Sequence, residues 1–233
     1  MVNYRGVKTL EVLEGAKNYN RWIASEMSKY ITAPVLEIGA GSGSVSSLII
    51  KKRPYTLSDI DSGLVKLLNE KFKGKIGIAV KILDIEKKPP SHLQNTFKSI
   101  VGVNVFEHIR DDRRAFIHAN QLLKKRGRLI MLVPAKQFAF TKLDRELGHF
   151  RRYEKAELEQ KLLGAGFIID HIYFFNLVGL ISWLIRDRVD RSHIQLKPYQ
   201  IKLFDSIVPI LRFVETKIRP VIGISLIVVA RKV

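Results

Sequence analysis

Apolar residues recur at two periods along this chain, and their alternation predicts a layered α/β protein. Tyr19, Ile23, Met27 and Tyr30 fall at helical spacing, which predicts an amphipathic helix over residues 14–31. The short apolar run Val35–Ile38, leading into glycines, reads as a buried strand. Val45, Leu48 and Ile49 then begin a helix closed by Lys51, Lys52 and Arg53 and stopped by Pro54. A second strand over 55–60 precedes a helix marked by Leu64, Leu67, Leu68 and Phe72 and ended by Gly74. Strands follow over 76–83 and 99–105, then a helix through Phe116, Ala119 and Leu123 that stops at Gly127, then a fifth strand over 128–133. A helix with Leu158, Leu162 and Ala165 on one face, a strand over 167–175 and a last strand over 223–231 complete the pattern.

Strands that alternate with helices in this way build a mostly parallel sheet with helices on both faces. Residues 177–220 interrupt the rhythm and read as a mostly helical insertion between the last two strands. The most apolar run, Ile172–Ile185, is broken by Asn176, Gly179 and Ser182 and is shorter than the roughly 20 residues a membrane span needs. The 233 residues therefore read as one domain, with a helical cap over 1–33, a core over 34–176, an insertion or lid over 177–220 and a final strand within 221–233.

Chemistry enters at Glu37-Ile-Gly39-Ala40-Gly41-Ser-Gly43. A glycine turn between the first strand and first helix lets a ligand approach the backbone and meet helix N–H groups. A dinucleotide site needs glycines spaced G-x-G-x-x-G, and here its last position holds Ser44. The acid two residues before Gly39 suits the ammonium of a methionine moiety better than a pyrophosphate, which favours S-adenosylmethionine. Asp59 ends the second strand, placed to accept ribose hydroxyls, and Asp84 ends the third, within reach of an adenine amino group. Asp61 reads as a helix cap. Any one of these acids alone could be a solvated loop residue. Together with the glycine turn they outline a crevice at the carboxyl edge of the sheet.

With Val35–Ser44, Ser58–Asp61, Leu83-Asp84 and Asn104-Val-Phe-Glu-His-Ile109 assembled, the chain resembles the Rossmann-like S-adenosylmethionine-dependent methyltransferases. Tyr19-Asn-Arg-Trp22, Leu147-Gly-His-Phe-Arg-Arg-Tyr153 and Gly223–Lys232 extend the resemblance to a bacterial and archaeal subfamily whose members often accompany glycosyltransferases. The resemblance implies a seven-stranded sheet with an antiparallel last strand. It implies that Glu37, Gly39, Ala40, Gly41 and Gly43 line the methionine end of the cofactor. Asp59 with Ile60 and Asp84 with Ile85 would hold ribose and adenine, and Asn104, Val105 and Phe106 would close the floor. Tyr19 and Trp22 would fold over the cofactor, although packing of an amphipathic helix explains Trp22 equally well. Arg126-Gly127-Arg128 departs from the family, which has two adjacent glycines there.

Methyl transfer from a sulfonium is an in-line displacement, so alignment supplies most of the rate, and a hydroxyl acceptor gains from a general base. His108 and His149 are the candidates for that base. The competing readings are a hydrogen bond from His108 to loop backbone and packing of His149 beside Arg152. Glu107 beside His108 could orient it or bind a divalent cation, and a single Glu-His pair is weak evidence for a metal.

Forty Lys and Arg against 22 Asp and Glu give a net charge of +18, which draws anions. In the insertion Trp183, Arg186, Arg188, Arg191, Lys197, Lys202, Arg212, Lys217 and Arg219 stand among Leu, Ile and Phe. That pattern suits peripheral contact with an anionic membrane, and a lid or dimer surface is the competing reading. A small-molecule, glycan or lipid-linked acceptor is expected. RNA or DNA methylation is the first alternative: the charge suits it, but there is no cysteine for attack on cytosine, and Asn104 lacks the Pro-Pro-aromatic sequel of amino-group DNA methylation. A non-catalytic cofactor-binding protein is the second. The absence of cysteine and of an apolar block in Met1–Leu13 points to a cytoplasmic protein, peripheral at the inner membrane face if the insertion binds lipid.

Overall fold

The computed structural model describes residues 15–189 and 198–233. Its elements are α1 (Lys17–Ser28), β1 (Val35–Ile38), α2 (Ser46–Ile49), β2 (Tyr55–Asp59), α3 (Ser62–Lys71), β3 (Ile78–Ile82) and β4 (Phe97–Val103). There follow α4 (Asp112–Leu122), β5 (Leu123–Pro134), α5 (Lys142–Glu146), α6 (Lys155–Gly164), β6 (Phe167–Phe175), α7 (Leu177–Val189), α8 (Pro198–Lys217) and β7 (Ser225–Lys232). One sheet carries all seven strands in the order β3-β2-β1-β4-β5-β7-β6. β1 pairs in parallel with β2 and β4, and β7 runs antiparallel between β5 and β6. This is the Rossmann-like arrangement of the class I methyltransferase fold, with the strand order reversing beside β1.

Two-residue alternation divides the core between the faces of the sheet. Ile100, Leu129, Met131 and Val228 face α4 and α6, where Phe116, Leu122, Leu158 and Leu162 are buried. Their neighbours Val101, Ile130, Leu132 and Val229 face the layer formed by Trp22, Met27, Ile49, Leu68 and Val208. The central strands are therefore apolar on both faces over Ile100-Val101, Leu129–Val133 and Leu226–Ala230, as a sheet covered on both sides requires.

Most elements follow the hydrophobic pattern, and the differences have local causes. The helix before β5 ends at Leu122 rather than at Gly127, because Leu123 already pairs with Phe97. The ladder then shifts register before Arg128 meets Ser99. Arg126 sits in the irregular stretch at φ 61, so a side chain occupies the left-handed conformation that glycine adopts freely. The helix after the glycine turn has only four residues, and α1 is shorter than its periodicity predicts. The insertion is helical, as α7 and α8. Arg191 and Lys197 lie outside the described residues.

Candidate functional site

β1 delivers Glu37 and the glycine turn to the carboxyl edge of the sheet. Gly39, Gly41 and Gly43 all have positive φ, at 63, 56 and 73°. Gly39 is also the closest approach to the β4 loop: a Cβ there would lie 2.6 Å from a methyl carbon of Val105. Only glycine meets both conditions. The turn is braced from β2, where the Ser58 carbonyl accepts from the Ala40 N–H at 2.9 Å. Asp59 completes the brace by accepting from the Gly41 N–H at 2.9 Å and the Asp61 N–H at 3.0 Å. The carboxylate expected to meet a ribose thus also fixes the loop that would hold the methionine end. Asp61 caps α3 through the N–H groups of Gly63 and Leu64.

Glu37 is 3 % exposed, and its Oε2 accepts a 2.7 Å hydrogen bond from the Tyr55 hydroxyl. Burial pushes its carboxyl up to about 7, against the lowering effect of that bond. A cation brought beside it would restore the charged form. Tyr55 gave no signal in the sequence beyond being the first residue of a strand.

The remaining expected contacts divide by burial. Asp84 lies just beyond β3, half-buried, with its Oδ1 accepting from the Glu86 N–H. Ile60 and Asn104 are exposed at the edge, and Val105 is half-buried. Ile85 and Phe106 belong to the core, the latter stacked 5.0 Å from Phe116. Trp22 is 1 % exposed, with its ring 4.3 Å from that of Phe175, so core packing is the role its surroundings fit. Tyr19 packs on Phe175 and Phe204, and its phenol is held beside Asn176 and Ser225. A groove of about 850 Å3 between α3 and β3, lined by Lys66, Phe72 and Lys75 among others, lies at the outer edge of the sheet, apart from these acids.

Two residues beyond Val105 the chain enters a second cluster. His108 and His149, distant in sequence, meet edge to face with ring centroids 4.6 Å apart. His149 Nδ1 is 2.9 Å from Asp144 Oδ1. With that nitrogen as the donor, Nε2 is the nitrogen left to take a proton. Asp144 is fully buried and is the hub of the loop. Its Oδ1 also accepts from the Arg152 guanidinium at 3.0 and 2.9 Å, and its Oδ2 accepts from the Thr141 N–H at 2.8 Å. Burial alone would raise its pKa, but hydrogen bonds from His149, Arg152 and Thr141 hold the carboxyl below its ordinary value. The guanidinium carbon of Arg152 in turn lies 4.7 Å from the Trp183 ring, whose Nε1–H donates to the Ala139 carbonyl. The insertion is thereby tied to the loop that carries His149. His108 and His149 do come together as the candidates for the base, and the packing of His149 beside Arg152 is also present, through their shared acid. Asp144 and Arg152 were missed as a unit, although Thr141-Lys-Leu-Asp144 is a capping-box spacing.

Glu107 completes the cluster. It is 0 % exposed, and neither carboxylate oxygen has a hydrogen-bond partner among the described residues. Burial raises its pKa to about 7, and burial, then the neighbouring His149, lowers that of His108 to about 4. At pH 7 the His108 ring is therefore neutral and the Glu107 carboxyl about half ionised.

Residues 36–129 match a family model described as a methyltransferase domain. The chain is 34% identical over 118 residues to the highly reducing polyketide synthase gloL of Glarea lozoyensis, which covers 45% of this chain and 5% of that protein. It is 31% identical over 105 residues to the 5-methylorsellinic acid synthase of Aspergillus terreus, covering 42% and 4%. The chain thus spans only a small part of these curated relatives. Among solved structures, the CMeT domain of the citrinin polyketide synthase aligns with a TM-score of 0.57 at 17% identity, over 84% of this chain and 45% of that one.

Proposed function

We propose, from the premise that the chain is an S-adenosylmethionine-dependent methyltransferase, that it methylates an amphipathic small molecule at an atom that must first lose a proton. The observation that carries this reading is the Glu107–His108–His149 cluster, with Glu107 buried and both histidines half-buried, two residues along the chain from the loop that touches the glycine turn. An amine acceptor would need no such group beyond water, whereas a hydroxyl or an activated carbon gains from a held base. In this reading His149, held by Asp144, takes the acceptor's proton. The acceptor atom attacks the methyl carbon as the carbon–sulfur bond breaks, and S-adenosylhomocysteine leaves. The likeness to polyketide synthases supports a small-molecule acceptor of this type, and a hydroxyl of a lipid-linked glycan has the same chemistry.

The test is labelled methyl transfer from S-adenosylmethionine to a panel of phenols, β-dicarbonyl compounds and lipid-linked sugars, with wild type and His149→Ala. The expected result is turnover reduced about 10²–10⁴-fold in the variant, with affinity for S-adenosylhomocysteine unchanged. Equal turnover in the two proteins would remove His149 from the chemistry.

The outer face of α8 supports delivery of the acceptor from an anionic membrane surface. Tyr199, Leu203, Ile210 and Phe213 are all more than 60 % exposed and recur at helical spacing, and Ile218 and Val221, just beyond the helix, are as exposed. The helix has two acids, and both turn inward as caps. Asp205 accepts from the N–H groups of Asn18 and Tyr19 at the start of α1, and Glu215 from those of Asn176 and Leu177 at the start of α7. What faces outward is apolar surface with Lys202 and Lys217, rimmed by Arg212, which donates to Ser25, and by Arg219, which lies over the Tyr173 ring, a composition that suits a lipid interface. No helix among the described residues is long and apolar enough to cross a membrane.

In flotation, the protein is expected to rise with phosphatidylglycerol vesicles at low salt, less so at 0.5 M salt, and to stay behind in the double variant Leu203→Glu, Ile210→Glu. Vesicle binding that survives both glutamates, or a stable dimer that the glutamates dissociate, would assign this face to something other than lipid.

A further inference from the structure

The Glu107 carboxylate poses a problem that the methyl-transfer reading leaves open. A side chain with no exposed surface and two unpartnered oxygens forgoes hydrogen bonds that are worth more in a buried site than in water. Natural proteins tolerate such an acid where a ligand meets it. A nitrogen of His108, a nitrogen of His149 and a Glu107 oxygen all lie within 4.8 Å of one another.

We propose that Glu107, His108 and His149 form a three-ligand site for a divalent transition-metal cation of the zinc class. Two imidazoles and a carboxylate, with one position left for water or substrate, are the donor set of catalytic zinc sites. Metal bonds of about 2.0–2.2 Å would bring the donor atoms to roughly 3.5 Å of one another, so modest rotation of the side chains closes the cage. The outer shell is already built. His149 has its Nδ1 on Asp144, the carboxylate–histidine arrangement that orients a ligand and fixes its tautomer. One ring nitrogen of His108 is engaged by the Gly148 backbone, which orients the ring. Asp144 is itself fixed by Arg152 and Thr141. Two of the ligands come from the loop after β4 and the third from the loop after β5, so the site joins the two loops that flank the crevice.

The inference rests on the reading of this cluster as the acceptor end of the site and specifies how the proton is lost. An acceptor hydroxyl bound to the cation would release its proton to water at neutral pH, as a metal-bound water does, and would then attack the methyl carbon as an alkoxide. His149 then serves as ligand in the loaded enzyme.

The experiment is titration of the chelator-treated full chain with Co2+, read by its visible d–d absorption, and with Zn2+, read by calorimetry. The expected result is one cation per chain with micromolar or tighter affinity, lost at least 100-fold in Glu107→Gln and in His149→Ala. Binding of S-adenosylhomocysteine by each variant shows that it has folded. No Co2+ spectrum and no Zn2+ heat in a chain that binds S-adenosylhomocysteine would overturn the proposal, as would affinity unchanged in both variants. If cation binding fails while His149→Ala still loses turnover, His149 is the base and methyl transfer stands. If the cation binds but no proton-bearing acceptor is methylated, the functional reading is the one that falls.

Discussion

Replacing Asp144 by alanine is expected to cost about 3–5 kcal/mol of folding stability, the range for breaking a buried ion pair by removing one partner. The cost lies in what remains. Arg152 has a side chain 2 % exposed and donates to Asp144 through both Nε and Nη2. Without the carboxylate, its charge stays buried with, among the described residues, the 3.5 Å bond to the Ala135 carbonyl and the Trp183 ring beside it. The capping box at the start of α5 is lost in the same step. His149→Ala serves as the comparison, because it removes one hydrogen bond to Asp144 and leaves the ion pair intact, at a cost of about 1 kcal/mol. Thermal melts should place Asp144→Ala on the order of 10 °C below wild type and His149→Ala within a few degrees of it. If the two variants melt together, Arg152 is not held by this pair. Asp144→Ala is also expected to lose turnover, since the loop that carries His149 would lose its anchor. The stability comparison is what separates the two roles.

That hub shows where sequence reasoning stops. The glycine turn and its acids were legible because each depends on local spacing: a strand, a tight turn with positive φ, and carboxylates at successive strand ends. The β4 loop was legible for the same reason, as a run of adjacent residues. The Asp144–Arg152 pair, the Tyr55 bond to Glu37 and the inward turn of Asp205 and Glu215 depend on contacts between segments far apart in the chain, which no period encodes. Trp22 stayed ambiguous because a helical stripe looks the same whether it covers a cofactor or a core. The end of α4 was misplaced because glycine is a common stop signal, while the ladder to β4 captured the chain four residues earlier. The left-handed Arg126 shows the same ladder imposing a conformation that the residue itself disfavours.

Cofactor affinity is expected to rise about 50- to 100-fold between pH 5 and pH 7.5, because Glu37 must give up its proton to meet an ammonium group. In the free protein burial holds this carboxyl at about 7, and the Tyr55 hydroxyl, itself pushed up by burial and by Glu37, remains protonated as its donor. A methionine ammonium beside Glu37 favours the anion, so binding below pH 7 releases a proton. At pH 5 about one molecule in 100 has the ionised form ready, and at pH 7.5 most do. Calorimetry with S-adenosylhomocysteine at pH 6 should therefore give heats that depend on the ionisation enthalpy of the buffer, with close to one proton released. The same shift acts on folding with a fixed sign. A carboxyl whose pKa is raised on folding lowers stability as pH climbs from about 4.5 to 7, by up to about 3 kcal/mol. Glu37→Gln removes both effects while its amide oxygen can still accept from Tyr55. It should bind the ligand more weakly at pH 7.5, lose the pH dependence, and melt higher than unliganded wild type at pH 8. Ligand binding without pH dependence or proton release in wild type would mean that the ammonium is met by some other group, with Glu37 serving only to hold the glycine turn against β2.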